Sequence, residues 1–108
     1  MILGLRTAGF SVAAFTDATA FLTSLDISRP DMLVLDWLLP DMNGGALLKH
    51  LQQMEGLRSL PVLVLTNLSG IDGREIALAF ASGALAWLEK SRTTPIELAL
   101  RIGQALRN

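Results

Sequence analysis

With 108 residues, 51% hydrophobic and 18% charged, the chain is one domain long and too apolar to be disordered. Nine basic residues against ten acidic leave a formal charge of -1, so no basic excess exists for a nucleic-acid surface and no tail carries a charge block. No cysteine is present, so disulfides, thiolate metal sites and Cys nucleophiles are excluded as well.

At the N-terminus, Ile2, Leu3 and Leu5, followed by Arg6 and a Gly9 stop, read as the last turns of a helix. The run is too short for a signal peptide and no later run reaches transmembrane length, so a cytoplasmic location is expected. Phe10 to Phe15 reads as a short strand ended by Thr16 and Asp17. Either can cap the next helix, whose apolar positions Ala20, Phe21, Leu25 and Ile27 fall at helical spacing. Pro30 breaks that helix. Met32 to Leu35 form a continuous apolar run closed by Asp36 and the breaker Pro40-Asp41-Met42-Asn43-Gly44, a pattern that suits a strand buried on both faces. Asp41 and Asn43 read as turn-formers.

After the Asn43-Gly44-Gly45 turn, Ala46 to Met54 predicts an amphipathic helix on which His50 is solvated. Pro61 opens a second apolar run that ends in Thr66, and residues 67–73 form a loop. Arg74 to Ser82 predicts a helix with Ile76, Ala77 and Phe80 inward, stopped by Gly83. A third run, Ala84 to Glu89, ends in Lys90. Thr94, Pro95 and Glu97 supply the N-cap, first position and capping box of a last helix. Its apolar residues are Ile96, Leu98, Ala99, Ile102, Ala105 and Leu106.

Strands alternate with helices, so the expected fold is α/β, a parallel sheet with helices on both faces. Such sheets place their ligand sites at the C-terminal ends of strands. Asp36, Thr66 and Lys90 stand at three successive strand ends, and an acid, a hydroxyl and an amine together suit phosphoryl transfer. A carboxylate attacks phosphorus in line, while fixed donors meet the charge that develops on the equatorial oxygens.

Several stretches share one order and spacing: Pro30-Asp31 before Leu33-Val34-Leu35-Asp36, Leu39-Pro40-Asp41-Met42-Asn43-Gly44, Pro61 to Thr66, and Gly83-Ala84 with Trp87 and Lys90. Together they resemble the receiver domain of two-component response regulators. The likeness covers residues 1–108, from the family's second strand to its fifth helix, with no output domain. It implies the flavodoxin-like, CheY-like three-layer fold. It also implies that Asp36 accepts a phosphoryl group from a histidine kinase or phosphotransfer protein. Mg2+ would be held by Asp36 and the backbone carbonyl of Leu38. Thr66 would bond a phosphoryl oxygen and Lys90 would pair with it. Trp87 would take the aromatic switch position. Trp37 reads as a core residue by its type, but the resemblance implies that it borders the site mouth and shields Asp36. A downstream signalling protein would read the face made by the fourth and fifth helices and the last strand. The domain would be a signalling module and not an enzyme.

Three departures set further expectations. The family opens with a strand ending in an acidic pair that holds Mg2+, whereas this sequence starts inside the following helix. Without that pair, Mg2+ binding and phosphotransfer are expected to be compromised. The strand lies at the centre of the family's 2-1-3-4-5 order, so an altered N-terminal arrangement is expected, with homodimerisation. The predicted Phe10–Phe15 strand would pair directly with the Asp36 strand or be displaced. Ser91 stands where the family has a cis proline, which favours a trans bond and re-aims Lys90. The Thr66-to-Lys90 interval is slightly long, and the extra residues fit in the loop after Thr66. The alternative function is a pseudo-receiver, a protein-interaction or dimerisation module without the chemistry. A flavodoxin-like cofactor binder fits the architecture but lacks a Gly-rich phosphate loop.

Overall fold

Every residue of β2 (Val62–Thr66) is buried, as an unbroken apolar run requires of a strand covered on both faces. β1 (Leu33–Leu35) and β3 (Ala84–Glu89) flank it in a parallel sheet of order β1-β2-β3. The computed structural model describes residues 2–67 and 71–107. Parallel neighbours need crossover connections, which α3 (Gly44–Gln52) and α4 (Gly73–Ala81) provide. Side chains alternate along β2. Val62 and Val64 meet the core shared with α2 (Ala18–Ser24), α3 and α4, while Leu63 and Leu65 meet the core shared with α1 (Ile2–Thr7) and α5 (Pro95–Arg107). No helix among the described residues is long and apolar enough to cross a membrane.

β3 contains a bulge. Val62 opposes Ala84 but Leu63 opposes Ala86, so Leu85 is left over and stands 56% exposed. Beyond it the register runs on to Thr66 opposite Glu89, which carries Lys90 just past the sheet. That phase delivers Lys90 to the end of the sheet where Thr66 and Asp36 lie.

The predicted Phe10–Phe15 strand does not form. This stretch carries no ladder with any described strand, and it pairs with β1 neither directly nor through a neighbour. Its apolar residues find another use, because Phe10 and Val12 pack on the α1/α5 core while Arg6 Nη2 donates to the Val12 carbonyl at 3.2 Å. Hydrophobic packing, with the Phe10 N–H donating to the Leu5 carbonyl at 3.2 Å, thus places the stretch without a strand neighbour.

Several predicted core positions are exposed. α2 ends at Ser24, which leaves Ile27 in the following turn at 91% exposure, and Ala20 also faces out. In α4 the buried residue is Ala79, with Ile76 half-buried and Ala77 and Phe80 outward. In α5, Leu98 and Ile102 take the core face at i, i+4, which turns Ile96 to the opposite side and leaves Leu106 partly exposed. The predicted Ala46–Met54 helix starts two residues earlier and stops at Gln52. Asn43 is its N-cap, accepting from the Ala46 N–H at 2.8 Å. Gly44 and Gly45 therefore belong to its first turn, and a Cβ at Gly44 would stand 2.5 Å from the Trp37 ring.

Candidate functional site

Asp36 follows the last residue of β1, Thr66 ends β2, and Lys90 opens a 3-10 turn (Lys90–Arg92) directly after β3. The three side chains converge. Thr66 Oγ1 donates to Asp36 Oδ1 at 2.8 Å, and Lys90 Nζ donates to Oδ2 at 2.6 Å. The Leu38 N–H adds a third donor to Oδ1 at 3.2 Å. Lys90 is therefore aimed at Asp36 and not diverted by Ser91, and no described peptide bond is cis. Thr93 fastens the turn that carries Lys90, its buried hydroxyl donating to the Glu89 carbonyl at 2.8 Å.

Partial burial pushes the Asp36 carboxyl up. The hydrogen bonds from Lys90, Thr66 and the Leu38 amide, with the Lys90 charge, outweigh it and hold the group below its ordinary value. The Asp36 and Lys90 side chains remain 35% and 42% exposed, so the pair opens to solvent while Thr66 is 1% exposed. Such a carboxylate stays ionised at neutral pH, with its negative charge facing a cation and two fixed neutral donors. A carboxylate so placed can attack an electron-poor centre, with neighbouring donors in reach of charge that would develop on a transferred group.

Mg2+ demands about six oxygen ligands in near-octahedral geometry. Asp36 and the Leu38 carbonyl are the two groups that the resemblance assigns to it. Among the described residues no group of three acidic or histidine side chains gathers anywhere.

Trp37 does not border the mouth. It is 1% exposed and lies in the core against Gly44, Gly45 and Trp87, the two indoles 5.0 Å apart at 58°. Its Nε1 donates to Glu75 Oε1 at 3.3 Å. Trp87 is half-buried, and its Nε1 is enclosed with no hydrogen-bond partner among the described residues. The predicted extra length after Thr66 falls partly on residues 68–70, which lie outside the described residues. His50 is exposed on α3.

The family model of the response regulator receiver domain matches residues 2–102. The chain belongs to the response regulator receiver family of two-component signalling. The DNA-binding response regulator MtrA of Mycobacterium tuberculosis is 35% identical over 103 residues, covering 95% of this chain and 42% of that protein. This receiver thus spans less than half the length of that curated relative. A putative response regulator from Chloroflexus aurantiacus superposes with a TM-score of 0.86 at 32% identity, over 99% of this chain and 85% of that one. The receiver domain of a sensor histidine kinase from Pseudomonas aeruginosa, with a magnesium ion coordinated in its active-site cleft, has the same fold. Its TM-score is 0.83 at 20% identity, over 99% of this chain and 85% of that one.

Asp41, read from the sequence as a turn-former, has a larger part in the receiver. Its Oδ2 accepts from the Thr19 hydroxyl at 2.6 Å and the Thr19 N–H at 2.9 Å, and its Oδ1 accepts from the Ala18 N–H at 3.0 Å. With Asp17 accepting from the Ala20 N–H at 2.7 Å, two carboxylates cap α2. The Thr19 hydroxyl, then the Ala18 and Thr19 amides, hold the Asp41 carboxyl down to about 2, from an ordinary 3.8. The folded value lies below the unfolded one, so Asp41 stabilises fully above about pH 4 and loses this as pH falls through about 2. Asp41→Asn is expected to flatten the fall of the urea midpoint across that window. An unchanged slope would show that the carboxylate does not hold α2. No sequence signal marks this contact, which spans 22 residues. The capping box of α4, Asp72 with Glu75, was legible as Asp-x-x-Glu but escapes a reading that starts the helix at Arg74.

Proposed function

We propose that Asp36 accepts a phosphoryl group from a phosphohistidine of a histidine kinase or phosphotransfer protein. An Asp36 oxygen forms the new O–P bond as the P–N bond breaks, and the imidazole leaves with that electron pair. The observation that carries this reading is the Asp36 carboxylate held between Thr66 at 2.8 Å and Lys90 at 2.6 Å. Thr66 and Lys90 are placed to turn from the bare carboxylate to the phosphoryl oxygens as charge develops. The domain is a phosphoryl acceptor and not an enzyme. Its place is the cytoplasm, where a downstream signalling protein or a second copy of the receiver reads α4, β3 and α5. Leu78, Phe80 and Leu85 offer exposed apolar surface there.

Transfer to the 108-residue chain is slow, because two oxygen groups bind Mg2+ weakly and neutralisation falls to Lys90. The same donor set, with a closed ion pair at 2.6 Å, favours the second reading of a pseudo-receiver that binds partners without chemistry. Intact mass after incubation with acetyl phosphate and Mg2+ separates the two. One phosphoryl adduct is expected on the wild type and none on Asp36→Asn. A folded wild type without adduct would leave the pseudo-receiver.

A further inference from the structure

Trp37 is the residue directly after Asp36, and its surroundings fix it on every side. Its carbonyl accepts the Gly44 N–H at 2.7 Å, and its ring lies against Gly44, Gly45 and Trp87. Its indole N–H reaches Glu75, the third residue of α4. Glu75 has two tasks. Oε1 accepts from Trp37 Nε1 at 3.3 Å, while Oε2 accepts from the Asp72 N–H at 3.4 Å and closes the capping box. One carboxylate therefore joins the start of α4 to the residue that follows the phosphoacceptor position.

We propose that Trp37 and Glu75 are positioning residues that pass a change at Asp36 to the first turn of α4. The proposal rests on the reading of Asp36 as a phosphoacceptor. A phosphoryl group adds charge and three acceptor oxygens. Thr66 and Lys90 turn to them, and the Leu38 N–H loses its hold on Oδ1. The Asp36–Leu38 backbone then shifts, with Trp37 at its middle. A close-packed interior does not take up such a shift by local compression, so the indole moves with it. At 3.3 Å the bond to Glu75 is already beyond the usual N–H···O range, and a small displacement breaks it. Glu75 then no longer braces α4 against the core. The enclosed Trp87 N–H, unpaired among the described residues, marks the same indole pair as an imperfectly satisfied packing with something to gain from rearrangement.

The test is amide hydrogen exchange across residues 72–81 with and without acetyl phosphate and Mg2+, with intact mass measured in parallel. In the wild type, adduct formation is expected to speed exchange in the first turn of α4 by about tenfold, the scale of one hydrogen bond. Glu75→Ala forms the adduct but shows no adduct-dependent difference there. Glu75→Gln, whose amide oxygen still accepts from the indole, restores the difference. Trp37→Phe keeps a ring, removes the N–H and behaves like Glu75→Ala, so either variant decides if the other does not fold. A purely structural role would alter exchange equally in both states and leave their difference intact. The proposal is overturned if the wild-type adduct leaves α4 unchanged. It is equally overturned if the difference survives in the folded variants that lack the bond. Absence of a wild-type adduct overturns the phosphoacceptor reading instead, and the proposal with it.

Discussion

Trp37→Ala is expected to lower the unfolding free energy by about 3–5 kcal/mol. That is a large share of the roughly 5–15 kcal/mol that holds a domain together. The reason is where the ring sits. At 1% exposure it fills the space between the first turn of α3 and Trp87, and Gly44 and Gly45 leave the room it occupies. Neither glycine can supply a side chain to close the cavity, and Trp87 would lose the ring face on which it packs. Urea unfolding, followed through the fluorescence of Trp87, would show a lower midpoint with an unchanged denaturant slope. Trp37→Phe should cost much less, since a ring remains in place. A loss below about 1 kcal/mol for the alanine variant would mean that the core relaxes around the gap.

The same residue shows where the family likeness and the strand's own alternation part. The three apolar runs were legible because β2 is buried throughout and β1 and β3 in part, and each run ends at a residue whose side chain the parallel sheet brings to one place. Asp36, Thr66 and Lys90 could be named for that reason, with sequence separations of 30 and 54 residues between the bonded pairs. Trp37 lies two residues beyond β1 and still follows its alternation, with Leu33, Leu35 and Trp37 all on the core shared with α2, α3 and α4. The Gly44 N–H closes on its carbonyl at 2.7 Å and holds it there. The Phe10–Phe15 stretch failed for the opposite reason. Its composition suits a strand, but a strand exists only with a neighbour, and side-chain packing on the α1/α5 core was enough to place Phe10 and Val12. Ala77 and Phe80 were misplaced because an apolar residue was taken to seek the core, although single exposed apolar residues are ordinary.

Lys90→Met should separate what the ion pair does for chemistry from what it does for stability. Both side chains are more than a third exposed, so the pair contributes at most about 1 kcal/mol to folding near neutral pH. The urea midpoint should hardly move. The rate of adduct formation from acetyl phosphate should instead fall by about 10²–10³-fold, as when a preorganised donor is removed from developing charge. Thr66 and the Leu38 amide are neutral donors, so among the described groups bonded to Asp36, Lys90 carries the positive charge. The carboxyl itself reports the change. Burial alone pushes Asp36 up, and Lys90 is the foremost of the groups that reverse this. In the wild type the lowered value stabilises the fold above the unfolded value of 3.8 and loses this as pH falls through the folded one. Lys90→Met should shrink that contribution, leaving a weaker acid dependence of the urea midpoint at this position. Lys90→Arg keeps the charge but spreads it over a planar fork, so it should restore the acid dependence more fully than the rate. A rate loss of less than tenfold in Lys90→Met, with the midpoint unmoved, would mean that the charge on the transferred group is met from outside the residues that Asp36 touches.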